Sequence, residues 1–185
     1  MGLLLVLTPS IYAQESPAFE KIRDVSPDGK FALRISFSSE PQDSNEIDSD
    51  LITASKLVSL PSKEVIVKIS GEGDPPRLIW SSDSKWLAFP VSEGHRVTET
   101  QVYHRSGEEL TQVEAGNLRV DVEGDVRNEY IKPLRWIKPG VLLLEQFDIF
   151  RGGNGEDATY HFTAKFDEKT GKFQIGSKKK VPSKE

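Results

Sequence analysis

The sequence predicts an all-β fold: three four-stranded antiparallel meander repeats arranged as a partial or open β-propeller. Three observations carry this expectation. A short phrase recurs at a near-fixed interval: Val25-Ser-Pro-Asp-Gly-Lys-Phe31, then Trp80-Ser-Ser-Asp-Ser-Lys-Trp86, then a worn copy, Trp136-Ile-Lys-Pro-Gly-Val141. The steps are 55 and 56 positions, a period that points to arrays of four-stranded units. Each copy is a polar turn opening onto an apolar strand, and alternating apolar and polar residues bounded by Gly, Pro, Ser and Asp fill most of the chain. No stretch sustains a 3.6-residue period over three turns.

Repeat one spans about 19–70. Phe19–Val25 reads as a strand, and Ser26-Pro-Asp-Gly29 as a turn in which proline pre-sets one backbone angle and glycine takes a positive one. Strands follow at 31–37, 51–60 and 65–69, with an acidic, almost wholly polar loop over 38–50. Repeat two spans about 76–115, with strands at 76–80, 86–91, 97–104 and 109–113. Repeat three spans about 133–176, with strands at 133–136, 141–150, 158–166 and 172–175 and a glycine hairpin turn at Asp167–Gly171. The segment 116–132 reads as an insertion, and its alternating Leu118-Arg-Val-Asp-Val122 predicts an added strand or an extended edge. Residues 178–185, with the basic run Lys178–Lys180, read as a polar tail.

At 185 residues the chain is long enough for one domain, here 14–177, with a real core. Its net charge of −5 argues against broad attraction to nucleic acid or an anionic membrane. With no cysteine, disulfides, thiolate metal sites and cysteine nucleophiles are excluded. Residues 1–13 pair an apolar run with a Pro-Ser break and Ala13, as a secretory signal does, although no Lys or Arg precedes the run. The expectation is cleavage before Gln14 and a periplasmic or secreted protein. No segment approaches the ~18 uninterrupted apolar residues of a membrane-spanning helix.

The repeated phrase resembles the TolB-type and WD-like propeller repeats of bacterial envelope proteins, in which an apolar or Trp position precedes Ser-Pro-Asp-Gly-Lys and a strand such as Leu-Ala-Phe. Val25–Lys30 and Trp80–Phe89 carry the resemblance, and Tyr103–Gln112 is similar to the family's last hairpin. The third copy lacks the Ser and Asp. The motif marks a fold and brings no catalytic residue. Family propellers close a ring with more blades than three, so the resemblance leaves three arrangements open: a homodimer completing a ring, a self-capped array, or a sandwich-like packing of the three sheets.

Asp28 and Asp83 occupy the same repeat position and suit acceptance of turn N–H groups. Trp80 and Trp136 suit core positions between repeats, with their indoles bonded to backbone. His95, His104 and His161 show no metal-ligand spacing, and Tyr103-His104 and Tyr160-His161 read as one repeat position. No nucleophile elbow, phosphate loop or dinucleotide fingerprint occurs. No catalytic residue, metal site or cofactor is therefore expected. The best contact candidate is the glycine-rich hairpin 148–157, with Asp148, Phe150, Arg151, Asn154 and Asp157 as binding residues, because it places charge beside an aromatic on an irregular loop. The resulting expectation is an exported, non-enzymatic protein that contacts a protein or glycan partner. The alternatives are a self-assembling subunit of a multi-blade ring and, third, a propeller-type hydrolase or lyase.

Overall fold

The computed structural model describes residues 19–41, 48–70, 75–114, 118–152 and 157–182. The expected signal segment lies outside these residues. Among the described residues the regular structure is all β, apart from one 3₁₀ turn at Ser49–Leu51. The strands are β1 (Phe19–Arg23), β2 (Phe31–Phe37), β3 (Ile52–Ser59), β4 (Val65–Ser70), β5 (Ile79–Trp80), β6 (Trp86–Ser92), β7 (Val97–Ser106), β8 (Glu109–Gln112), β9 (Val126–Lys138), β10 (Val141–Phe150), β11 (Asp157–Asp167) and β12 (Lys172–Val181).

They form a four-stranded antiparallel sheet, β1-β2-β3-β4, and an eight-stranded sheet. Within the larger sheet, β5 to β8 pair consecutively and antiparallel, as do β9 to β12. A short parallel contact, Val97↔Glu129 and Thr98↔Tyr130, joins β7 to β9. The expectation of three separate sheets is corrected here. β8 pairs only with Tyr103–Ser106 of β7, which leaves the start of β7 with open backbone groups. β9 begins at Val126, inside the expected insertion, and reaches that open edge.

Two cores lie on either side of the middle strands. Phe31, Leu33, Ile35, Phe37 and Leu57 of the first sheet meet Leu87, Phe89 and Tyr103. On the other side Trp86, Ala88 and Val102 meet Ile131, Trp136, Leu142, Leu144 and Phe162. Residues 86–89 of β6 are therefore buried without a break, because neighbouring side chains serve different cores. β10 faces one core only and alternates strictly from Val141 to Ile149. Pro90 is tolerated in β6 because two-residue β5 pairs only with Leu87 and Ala88, so the missing N–H falls beyond its reach.

The repeated turns share one hydrogen-bond network. Ser26 Oγ donates to Asp28 Oδ1 (2.7 Å) and accepts from Phe31 N (3.0 Å), while Lys30 N donates to Asp28 Oδ1 (3.2 Å). Ser81, Asp83, Lys85 and Trp86 repeat these bonds at 2.5, 2.9 and 3.1 Å for the hydroxyl donor, the Trp86 amide and the Lys85 amide respectively. Ser84 takes φ +58°, where the first copy has Gly29 at +73°. Trp80 Nε1 donates to Asp24 O and Trp136 Nε1 to Ile79 O, both at 2.9 Å, so each indole binds the residue preceding the equivalent position one repeat earlier.

The segment 118–125 is a strap, not the expected strand. Leu118 and Val120 are buried in the second core, and Val122 packs against it. The side chain of Gln146 replaces a strand partner: its Oε1 accepts from Val120 N (2.8 Å), and its Nε2 donates to Val120 O (3.1 Å). The run Lys178–Lys180 is also corrected. It belongs to β12, paired with Phe162, His161 and Tyr160, because β11 is long enough to template the extra residues.

Candidate binding face

The face of β9–β12 turned away from the second core follows from alternation. Leu142, Leu144, Gln146 and Asp148 point inward, which leaves Leu143, Glu145, Phe147 and Ile149 outward. Strand register then sets two rows across the sheet. One reads Lys132–Glu145–His161–Lys179, the other Tyr130–Phe147–Thr159–Val181. A half-open hollow of ≈ 290 Å³ lies between them, lined by Tyr130, Lys132, Glu145 and Phe147.

Tyr130 and Phe147 stack with ring centroids 6.1 Å apart and planes 20° from parallel. The Tyr130 ring is anchored by a polar chain. Arg127 Nε donates to Asn128 Oδ1 (3.0 Å), Asn128 Nδ2 donates to Tyr130 Oη (2.7 Å), and Tyr130 Oη donates to His95 O (3.2 Å). Glu145 Oε2 and His161 Nε2 lie 3.1 Å apart, each side chain about a third exposed. The hollow thus offers an aromatic wall, a carboxylate–imidazole pair and an ammonium group, suited to holding a ligand that is partly apolar and partly polar. Among the described residues no cluster of three or more His, Asp or Glu is placed to hold a metal ion.

The residues expected to form a binding hairpin take different places. Asp148 is fully buried inside β10, not at a loop tip, because it falls on the inward parity of that strand. Burial pushes its carboxyl above the usual range, although Gln146 Nε2, which donates at 2.8 Å, and the charges of Arg119 and Lys178 pull the other way. Its Oδ1 has no hydrogen-bond partner among the described residues. Phe150 is half-buried, with its ring against Gly124, where an added Cβ would come within 2.9 Å. It is not the accessible aromatic that the hairpin reading required. Arg151 is exposed, and its Nε lies 3.6 Å from Asp125 Oδ1. Asp157 is exposed at the start of β11, opposite Ile149. Asn154 lies outside the described residues. Among the described residues, these candidates do not converge on one surface.

Tyr130, Lys132, Glu145, Phe147 and His161 were not singled out as site residues from sequence. The outward pairing of Glu145 with Phe147 was readable from alternation, but the cross-strand register that adds Lys132, Tyr130 and His161 was not. The Tyr-His coincidence also dissolves. Tyr103 opposes Leu87, whereas Ala164 opposes Leu142, the counterpart of Leu87, so Tyr160-His161 sits four residues before the equivalent position.

No protein-family model matches the chain. No curated protein matches it at a significant level.

Proposed function

We propose that this chain is an exported, non-enzymatic binding module of a bacterial envelope. In this reading it is a partial propeller with TolB-type repeats, working in the periplasm or outside the cell. The duplicated Ser-x-Asp-x-Lys network and the two indole hooks, each set one repeat apart, support the repeat assignment. The observation that carries the binding role is the hollow on the outward face of β9–β12. One ring of its aromatic pair, Tyr130, is anchored by a polar chain and Phe147 stacks on it, an arrangement that keeps a contact surface rigid. The partner is a protein or a glycan.

The test is a Lys132→Glu, Phe147→Ser double variant on the outward face. Envelope proteins and an arrayed set of glycans retained by the parent should be lost by the variant, while its circular dichroism and thermal midpoint stay near those of the parent. Retention of the same partners by a folded variant would overturn this site.

A further inference from the structure

The strap and the buried carboxyl beside it form a device with two states. Gln146 uses its whole amide group. Its Oε1 and Nε2 grip the backbone of Val120, and Nε2 also donates to Asp148 Oδ2 at 2.8 Å. Val120 sits at Gln146 and Gly124 sits at Phe150, so the strap passes over the intervening Asp148. Asp148 is fully buried and its second oxygen lacks a donor. A neutral carboxyl tolerates that site. A carboxylate held by one amide N–H does not, because a buried charge needs several donors or a close cation.

The charged neighbours come from every element around it. Glu129 of β9 stands directly opposite Asp148, and Glu99 of β7 acts on Glu129 in turn. Arg119 of the strap lies 3.9 Å from Glu129, which shares its charge. Lys178 of β12 is drawn to the strap carbonyl of Asp121 (2.5 Å) and to the ring of Tyr160 (4.5 Å). From β11 the residue opposite Asp148 is Ala158, which offers no donor side chain. The two cations are thus shared with other acceptors, and a second acid faces the first.

We propose that the 118–125 strap is a pH-sensitive latch, clamped over the sheet while Asp148 is protonated and loosened as that carboxyl ionises. With the strap open, Asp148 meets water and titrates in the ordinary carboxylate range. With it closed, burial raises the carboxyl above that range. A group whose closed-state value is the higher one favours closure fully below the open-state value. That preference fades as pH rises through the closed-state value. The latch therefore tightens in acid and relaxes toward neutrality. Ionised Glu129 works in the same direction, since its own carboxyl is also raised by burial and by Asp148.

Amide hydrogen exchange at Val120, whose N–H is the one held by Gln146, reads the latch in the intact chain. After correction for intrinsic exchange, strap opening should rise about tenfold per pH unit between the open-state and closed-state values of Asp148. In Asp148→Asn, which keeps an acceptor for Gln146 Nε2 but cannot ionise, the Asp148 part of that slope should vanish, leaving only the shallower rise due to Glu129 over the same range. An equal slope in both proteins, or a flat wild type, overturns the latch. The carboxyl carbon shift of Asp148 in the wild type gives a second, independent reading. Titration at or below the ordinary aspartate range also overturns it, whether or not the variant folds.

Discussion

Asp28 shows how one side chain can tie a local turn to the rest of the molecule. Its carboxylate closes its own turn through Ser26 and the Lys30 amide, and it meets the guanidinium of Arg105, a residue of β7. Arg105 also lies over the Phe31 ring, 4.7 Å from its centroid. Burial alone would raise the carboxyl. The hydrogen bonds from Arg105, Ser26 and Lys30 outweigh it and hold the group at about 2, below the ordinary 3.8. A depressed folded-state value contributes stability that is present above the ordinary value and lost as pH falls toward the depressed one. Urea midpoints of the wild type should therefore drop between about pH 4 and about pH 2, in part through this group. Asp28→Asn should be less stable than wild type at neutral pH, and the gap should narrow across that acid range. A gap that is constant with pH would show that the Arg105 contact carries no charge-dependent stability. Asp83 repeats the local turn bonds, but the contact with Arg105 belongs to Asp28.

At the scale of elements, the two tryptophans of the repeat share a hydrogen bond and differ in surroundings. Trp136 is 9% exposed and packs 5.6 Å from Trp86, which also meets Phe166 at 4.8 Å. Trp80 is only half-buried, stacked on Phe31 at 6.0 Å. Trp136→Ala should cost about 3–5 kcal/mol in chemical denaturation, the usual range for a buried large aromatic, and Trp80→Ala should cost clearly less. Equal losses would mean that the shared indole bond, not burial, sets the energy. Both positions were legible in sequence because the turn phrase fixes where each strand begins. The Ser-x-Asp-x-Lys turns and the existence of twelve strands were legible for the same local reason, although β9 and β12 run well beyond the segments read for them. What the sequence did not disclose depends on distant partners. β9 starts at Val126 because β7 has an open edge there, and β12 runs through Lys178–Lys180 because β11 continues beside it. The outward face needed cross-strand register, which no single strand encodes. A buried Asp148 was hidden by composition, since an acid beside a glycine-rich stretch reads as a loop. Lys178–Lys180 also have a structural use at the rim, where lysines on an outermost strand discourage pairing with a second molecule.

At the scale of the whole molecule, three antiparallel meanders follow one another in the chain, and the first and last each turn a face away from the two cores. The first face carries Arg34, Lys56 and Lys68 in one row across β2, β3 and β4. The last carries Lys132 and Lys179 in a row with Glu145 and His161. A ring closed by two copies would set the first of these faces against the last and bury Arg34, already paired with Glu20, together with Lys56, Lys68, Lys132, Glu145 and Lys179, and taking so many charges out of water costs energy. Sedimentation at micromolar concentration and moderate salt should accordingly give the mass of a single chain. A stable dimer there would favour the ring-completing reading over the monomeric binder. The middle meander has a further consequence. Because Trp86 and Ala88 serve one core while Leu87 and Phe89 serve the other, strand β6 is a wall common to both. Neither core can melt without stripping that wall of half its contacts, so the energetic fates of the two ends are coupled through it. Heat or denaturant then meets a single cooperative object, although the chain is built from repeats that, in longer arrays, can unravel piecemeal.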